Sequence, residues 1–379
     1  MIIQSKKVFI DDQFKQAQIE IDGKIIKGIY PYQAKNVDID YNDLMILPGF
    51  YDVHCHGWGG YDTNQAQQDG LKRWLENIPS EGVCGICPTT ITQSHQILEN
   101  ALKCVADTSK QQYNGARILG IHLEGPYISK DFCGAQPVEY IVKPDIEEFK
   151  QYQNAAEGLI KIVTLAPEED EGFALTKYLI ENNVNVSLGH SGADYSTSMA
   201  AVQLGAKSFT HTYNGMSRFN HRDNNMVGAA LTADCFAEII CDCHHSTEAS
   251  LKIFFKCKGK NGIMMSDGLM TKGLPIGTET LFGGQLMKVI EDGTCRLVST
   301  GNFAGSTMKI NEGLKNLVTR VNVPFEVAVS SCTSAPCRYL GIDDHKGYIK
   351  ENYDCDIAIL DDDYNVKATY VEGRLFDYE

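Results

Sequence analysis

The sequence predicts an α/β protein, a (β/α)8 TIM barrel carrying a small β-sandwich domain built from both chain ends. Three observations lead there. Strand-like runs alternate with helical periods through the middle of the chain, both ends read as β, and histidines and carboxylates gather where the middle strands stop.

The N-terminal end comes first. Val8–Ile10 is a short strand, and Ala17–Ile21 alternates apolar and polar residues. Asp22-Gly23 makes a two-residue turn, and Lys24–Ile29 alternates back, which is a hairpin pattern. At the other end, Asp356–Leu360 and Lys367–Val371 read as strands around the acidic turn Asp361–Asn365. These ends are expected to form the small domain, residues 1–48 and 346–379, around a catalytic domain at 49–345.

Between them the candidate strands are 46–54, 82–88, 117–123, 160–166, 184–189, 208–212, 236–242 and 262–266. Helical periods fall at 66–78, 94–107, 171–182, 194–204 and 246–257. Strands alternating with helices imply a parallel sheet. An open doubly wound sheet is the rival, but no G-x-G-x-x-G turn follows the first strand. After the last strand, 275–300 reads as a β-hairpin turning at Gly283-Gly284 and Asp292-Gly293. Helical segments follow near 306–319 and 324–340.

Composition narrows the function. The chain has 379 residues, a formal charge of −15 and a pI near 5.1. That argues against nucleic acid or an acidic membrane as partner, and leaves room for a small anion held by a local cluster of donors. No apolar run of about 18 residues offers a membrane span, and the first residues lack the order of a signal peptide. Thirteen cysteines, scattered through strands and helices, are expected as reduced thiols in the cytoplasm.

The chemistry starts at Leu47–Gly57. Alternation along a strand puts His54 and His56 on one face and turns Cys55 away. Two imidazoles at a strand end make half of a metal site. Alone, such a pair is equally compatible with hydrogen-bonded core histidines. The other strand ends supply more: His122 and Glu124, His190 and Ser191, His211 and Asn214, Asp242 and His245, and Asp267. Imidazoles and a carboxylate converging from several strands match the preferences of Zn²⁺ or Fe²⁺.

The stretches Pro48–His56, His122–Pro126, Leu165–Glu168, Gly189-His190, Thr210–Met216, His221-Arg222 and Ala304–Ser306 together resemble the N-acetylglucosamine-6-phosphate deacetylases of the amidohydrolase superfamily. The resemblance spans nearly the whole chain in order. It implies a barrel of the amidohydrolase type and hydrolysis of the acetyl group of an amino-sugar phosphate in amino-sugar catabolism. Residue by residue, it implies that Glu124, His190 and His211 hold one divalent metal. His54 and His56 would hold a second, bridged by Glu124. The centre would therefore carry one or two ions of Zn or Fe. Asp267 would accept the proton of the attacking water and return it to the departing amine. Asn214, Gly215, Arg222 and His245 would bind the sugar phosphate, part of that grip crossing a homodimer interface.

The chain departs from the family at Gln136, where a histidine is common, which leaves a substrate hydrogen bond but no charge. It departs again near Thr300, where an acidic residue is common, and Phe303 is expected to line the acetyl pocket. An N-acetylgalactosamine-6-phosphate deacetylase is the alternative closest in chemistry. A dihydroorotase-like enzyme would need a carboxylated lysine at the end of the fourth strand, where this chain has Leu165–Glu168. A barrel scaffold would have lost the ligands kept here. Cys84 and Cys87, spaced as C-x-x-C, fall inside an apolar strand and read as packing residues. Cys241, Cys243 and His245 would share a face if that strand continued. Trp58 and the Gly57–Gly60 run read as a flexible loop beside the metal site, placed to act as a lid.

Overall fold

The computed structural model describes residues 1–378. Its central parallel strands are β1 (Phe50–Cys55), β2 (Val83–Thr90), β3 (Ile121–Glu124), β4 (Ile160–Leu165), β5 (Asn185–Leu188), β6 (Ser208–Phe209), β7 (Ala237–Ile240) and β8 (Gly262–Met265). Each of β1 to β5 pairs in parallel with the next, and β7 pairs with β8. Backbone hydrogen bonds reach between these groups on both sides. Thr212 N–H donates to Glu238 at 2.8 Å, and Asp267 N–H donates to His54 at 2.9 Å. These strands are buried along almost their whole length, and so read as continuous apolar runs in sequence.

Helices follow the strands. Asp145, Asp194, Asn225 and Thr247 each cap one by accepting a backbone N–H in its first turn, the physical reason those helices begin where they do. Two of these, Ile146–Ala155 and Met226–Thr232, lie where no helical period was assigned.

Both termini contribute to a second, eight-stranded sheet. Its order is Arg374–Asp377, Val366–Val371, Ile357–Leu360, Met45–Pro48, Ile2–Ile10, Gln13–Asp22 and Ile25–Pro31, with Ile39–Asp40 beside Ile2–Ile10. The expected strand 46–54 is thus two strands. The chain leaves the terminal sheet at Pro48 and enters β1 at Phe50. Gly49 makes the passage: a Cβ there would stand 2.4 Å from the Cys84 sulfur and 3.1 Å from the Asp356 backbone carbon. The same residue ties the sheets together, because its N–H donates to the Asp356 carbonyl at 2.8 Å.

The expected strand 117–123 also divides, into Arg117–Ile118 and β3, with Gly120 packed against the Lys161 side chain. The late helix 324–340 is two helices, Phe325–Cys332 and Ser334–Leu340, broken at Thr333 (φ −123°, ψ −83°). The hairpin is a three-stranded meander, Glu279–Phe282, Gln285–Val289 and Cys295–Leu297, turning at Gly283-Gly284 with both φ positive. Its packing cluster includes Ile91 and Leu269 and lies over the ends of the parallel strands.

The two cysteines of the C-x-x-C pack in different places. Cys84 lies with Tyr51, Cys337 and Val371, and Cys87 with Val53, Ile162 and Ile263.

Candidate metal centre and active site

The C-terminal ends of the parallel strands deliver their polar residues to one point. Glu124 is the hub. Its Oε1 lies 3.2 Å from His190 Nε2 and 3.1 Å from His211 Nε2. Its Oε2 lies 3.4 Å from His56 Nε2, and Oε1 is also 3.4 Å from His54 Nε2. Asp267 Oδ1 stands 3.1 Å from His56 Nε2 and 3.6 Å from His54 Nε2. Donor atoms of Glu124, His190 and His211 lie within 4.8 Å of one another, and so do those of His54, His56 and Asp267.

The far side of each ring decides what the near side offers. His190 Nδ1 is 2.8 Å from the Phe132 carbonyl, and His211 Nδ1 is 3.1 Å from the Asn214 carbonyl. A carbonyl only accepts, so in the neutral rings the protons sit on Nδ1 and the Nε2 lone pairs point inward. Those two Nε2 atoms are 3.0 Å apart, and the His54 and His56 pair is 3.3 Å apart. Neutral rings at His190 and His211 set two lone pairs face to face beside a carboxylate, the arrangement that a shared cation relieves. The donor set fits a divalent transition metal in each group.

Charge follows the same geometry. Burial alone would raise the Glu124 carboxyl, but His54 and His190 outweigh it and hold it well below the usual range. Burial works against a charged His56, yet Asp267 and Glu124 push its imidazole up to about 9. Burial drives His54 and His122 well down, towards the neutral ring.

Three of the converging residues hold a left-handed backbone: His190 (φ 48°), His211 (φ 29°) and Asp267 (φ 49°). Such conformations cost roughly 1–3 kcal/mol each for side chains of this kind and persist where neighbours fix them. Asp267 is fixed on both sides. Its N–H donates to His54, and its carbonyl accepts the Ser306 N–H at 2.7 Å.

Above the cluster opens a cavity of about 530 Å³. Its walls include His245, Asn214, Gly215, Arg218, Phe303 and Phe282. Gly215 takes a positive φ (58°), and a Cβ there would press against the His190 ring, 3.1 Å from Nδ1. Beyond β7 the chain turns instead of continuing as strand, so Cys241, Cys243 and His245 do not form the face that alternation implied. His245 points into the cavity, held by Asp242 through Nδ1 at 2.6 Å, while His244 is exposed. Phe303 lines the cavity on this side, its ring 4.3 Å from that of His245.

Other expectations shift. Gln136 lines the cavity, but its amide donates to Glu124 Oε2 at 2.8 Å, and its carbonyl accepts the Thr92 N–H at 2.9 Å. It braces the hub carboxylate. Arg222 is exposed and does not line the cavity of its own chain, whereas Arg218 does. Trp58 is no loose lid. Gly57–Trp58 pairs with Tyr61–Asp62, and the backbone N–H groups of Gly57, Gly59 and Gly60 donate to Gly268, Lys272 and Met270. The indole N–H donates to Glu81, which also grips the buried Lys272 at 2.7 Å.

The amidohydrolase family model matches residues 45–376 of this chain. The chain belongs to the amidohydrolase family. Among its relatives is the N-acetylglucosamine-6-phosphate deacetylase of Bacillus subtilis, 39% identical over 339 residues, 88% of this chain and 85% of that one. The enzyme of the same name from Lysinibacillus sphaericus is 37% identical over 357 residues, 93% of this chain and 91% of that one. The crystal structure of N-acetylglucosamine-6-phosphate deacetylase from Pasteurella multocida superposes over the whole of both chains with a TM-score of 0.91 at 27% identity. The family resemblance read from the motifs therefore holds, and the family implies a divalent metal, for which the clusters around Glu124 are the candidate ligands.

Sequence reasoning passed over four residues at this site. Glu238 on β7 lies 3.1 Å from His54 Nδ1. A lone glutamate inside the apolar run Phe236–Cys241 was the available signal. Arg218, four residues beyond Asn214, was overshadowed by the His221-Arg222 motif. Glu168 accepts from Ser191 and the Gly192 N–H, both at 2.6 Å, and so orders the turn after His190. Phe282 arrives on the meander, 6.0 Å from the His56 ring, and no local pattern announces that docking.

Proposed function

We propose that this chain hydrolyses N-acetyl-D-glucosamine 6-phosphate to D-glucosamine 6-phosphate and acetate. One observation carries the reading: a single carboxylate, Glu124, spans two imidazole groups at the floor of a cavity, with Asp267 beside one of them. The motif order and the relatives of 37–39% identity support the same reaction.

Glu124, His190 and His211 would hold one Zn²⁺ or Fe²⁺, and His54 and His56 a second bridged by Glu124. When bound, such a metal supplies the positive charge that acidifies a water and polarises an amide carbonyl. The chain's own groups do the rest. Asp267, fixed by its backbone and facing the same point as His54 and His56, accepts the proton of the attacking water. It then passes that proton to the nitrogen, because an amine leaves only when protonated. Asn214, Gly215 and His245 line the cavity and would orient the sugar phosphate. Arg218 is the one Lys or Arg among the residues lining it, so it would meet the dianion within the chain.

The parallel strands are read as a closed (β/α)8 barrel at 49–345, supported by the backbone bonds from Thr212 to Glu238 and from Asp267 to His54. The terminal sheet is read as the separate β-sandwich domain at 1–48 and 346–379. A homodimer that completes part of the phosphate grip across its interface is the proposed assembly. A monomeric mass in sedimentation would contradict it. No helix among the described residues is long and apolar enough to cross a membrane, and the cytoplasm is the proposed compartment.

The test is acetate release from N-acetylglucosamine 6-phosphate. Activity is expected to vanish on chelation and return with Zn²⁺ or Fe²⁺. No release under any metal condition contradicts the proposal.

A further inference from the structure

Of the imidazoles that face Glu124, His54 is the one whose outer nitrogen meets a side chain and not a backbone carbonyl. Its Nδ1 lies 3.1 Å from Glu238 Oε2. Both residues are wholly buried, and Glu238 Oε1 has no hydrogen-bond partner among the described residues. The neighbouring His122 is fully committed elsewhere. Its Nδ1 faces the Val53 carbonyl at 3.3 Å, and its Nε2 faces the Thr164 hydroxyl at 2.7 Å. The side-chain hydrogen bonding of Glu238 is thus directed at His54 alone.

We infer that Glu238 is a positioning residue for the second metal: it holds the His54 proton on Nδ1 and turns the Nε2 lone pair towards the space shared with His56, Asp267 and Glu124. The inference rests on the two-metal reading given above. An imidazole that ligates through Nε2 must carry its proton on Nδ1, and a buried carboxylate oxygen is the strongest acceptor available to keep it there. Burial, with Glu124 and Asp267 nearby, raises the Glu238 carboxyl well above its usual range; in its ionised form it would make the ring a better donor to a cation than a backbone carbonyl does. The four-histidine centre is therefore uneven. His190 and His211 lean on carbonyls that the fold supplies anyway, whereas His54 depends on one side chain from β7. Glu238 is carried by the strand whose backbone accepts the Thr212 N–H, so its position is as rigid as the sheet.

The test measures Zn²⁺ binding to the whole protein by equilibrium dialysis with elemental analysis, in wild type, Glu238→Gln and Glu238→Leu. Wild type is expected to take up two equivalents of distinct affinity. One equivalent should weaken about tenfold in Glu238→Gln, which keeps a neutral acceptor, and about a hundredfold in Glu238→Leu, which keeps only volume. The other equivalent should be unchanged in both. Either folded variant holding both ions as tightly as wild type overturns the inference, and so does an equal loss of both ions. If Glu238→Leu does not fold, Glu238→Gln decides alone. A wild-type protein that takes up a single equivalent overturns the two-metal reading and this inference together. Two equivalents in wild type with no effect of either variant overturns this inference only.

Discussion

The residues at the strand ends divide by how they announce themselves. His54 and His56 were legible because a strand has period two, and two histidines on one face of a strand are rarely idle. His190, His211 and Asp267 were legible as polar residues at strand ends. Their left-handed backbones were not, because that strain comes from the turn beyond each strand and from partners distant in sequence. Arg218 and Arg222 make the same point about loops. Both follow Asn214 closely, and only the path of the loop puts Arg218 on the cavity and Arg222 in solvent. If Arg218 meets the phosphate, Arg218→Ala should lower kcat/KM for the phosphorylated sugar by about tenfold or more, the worth of one charge-assisted hydrogen bond. Deacetylation of N-acetylglucosamine without the phosphate should be unaffected. Equal losses on both sugars in steady-state kinetics would assign Arg218 to structure alone.

Elements were more legible in kind than in extent. Apolar runs set between helical periods marked the central strands, since buried parallel strands write themselves that way. That signal does not show that 46–54 changes sheet at Gly49, because both halves are equally buried and the break is set by the close approach of Cys84 and Asp356. The late helix looked continuous in its periodicity, and the signal of its interruption at Thr333 was Pro336, which has no N–H to bond the Cys332 carbonyl as an unbroken helix would require. A buried polar cluster anchors the junction between the two sheets. Buried Asp356 accepts from the Tyr51 hydroxyl at 2.8 Å, from Lys346 at 2.8 Å and from the Glu372 N–H at 2.7 Å. Removing its carboxylate strands a buried lysine that retains only Asp354, at 2.7 Å. Asp356→Ala should cost about 3 kcal/mol, the low end for breaking a buried ion pair, read as a lower urea midpoint at unchanged slope. An unchanged midpoint would mean that the Asp356 carboxylate adds nothing to the junction.

At the scale of the whole molecule, the site is where many separate pieces of chain meet. β1, β3, the turns after β5 and β6, the turn after β8 and the meander each contribute one or two side chains to a volume of about 530 Å³. The chain carries a charge of −15, so a dianion must be received by local donors against the field of the whole protein. Motif order made the reaction legible. The bracing of Glu124 by Gln136 and of His54 by Glu238 was not, because each pairs residues that only folding brings together, 12 and 184 positions apart. The most direct test of the account quantifies acetate and glucosamine 6-phosphate released from N-acetylglucosamine 6-phosphate by the metal-loaded protein and by its Asp267→Asn variant. The account expects equimolar products from the wild type and a rate lower by roughly 10²–10⁴ in a folded, metal-loaded variant. No acetate from the wild type, or an undiminished rate in the variant, would contradict it.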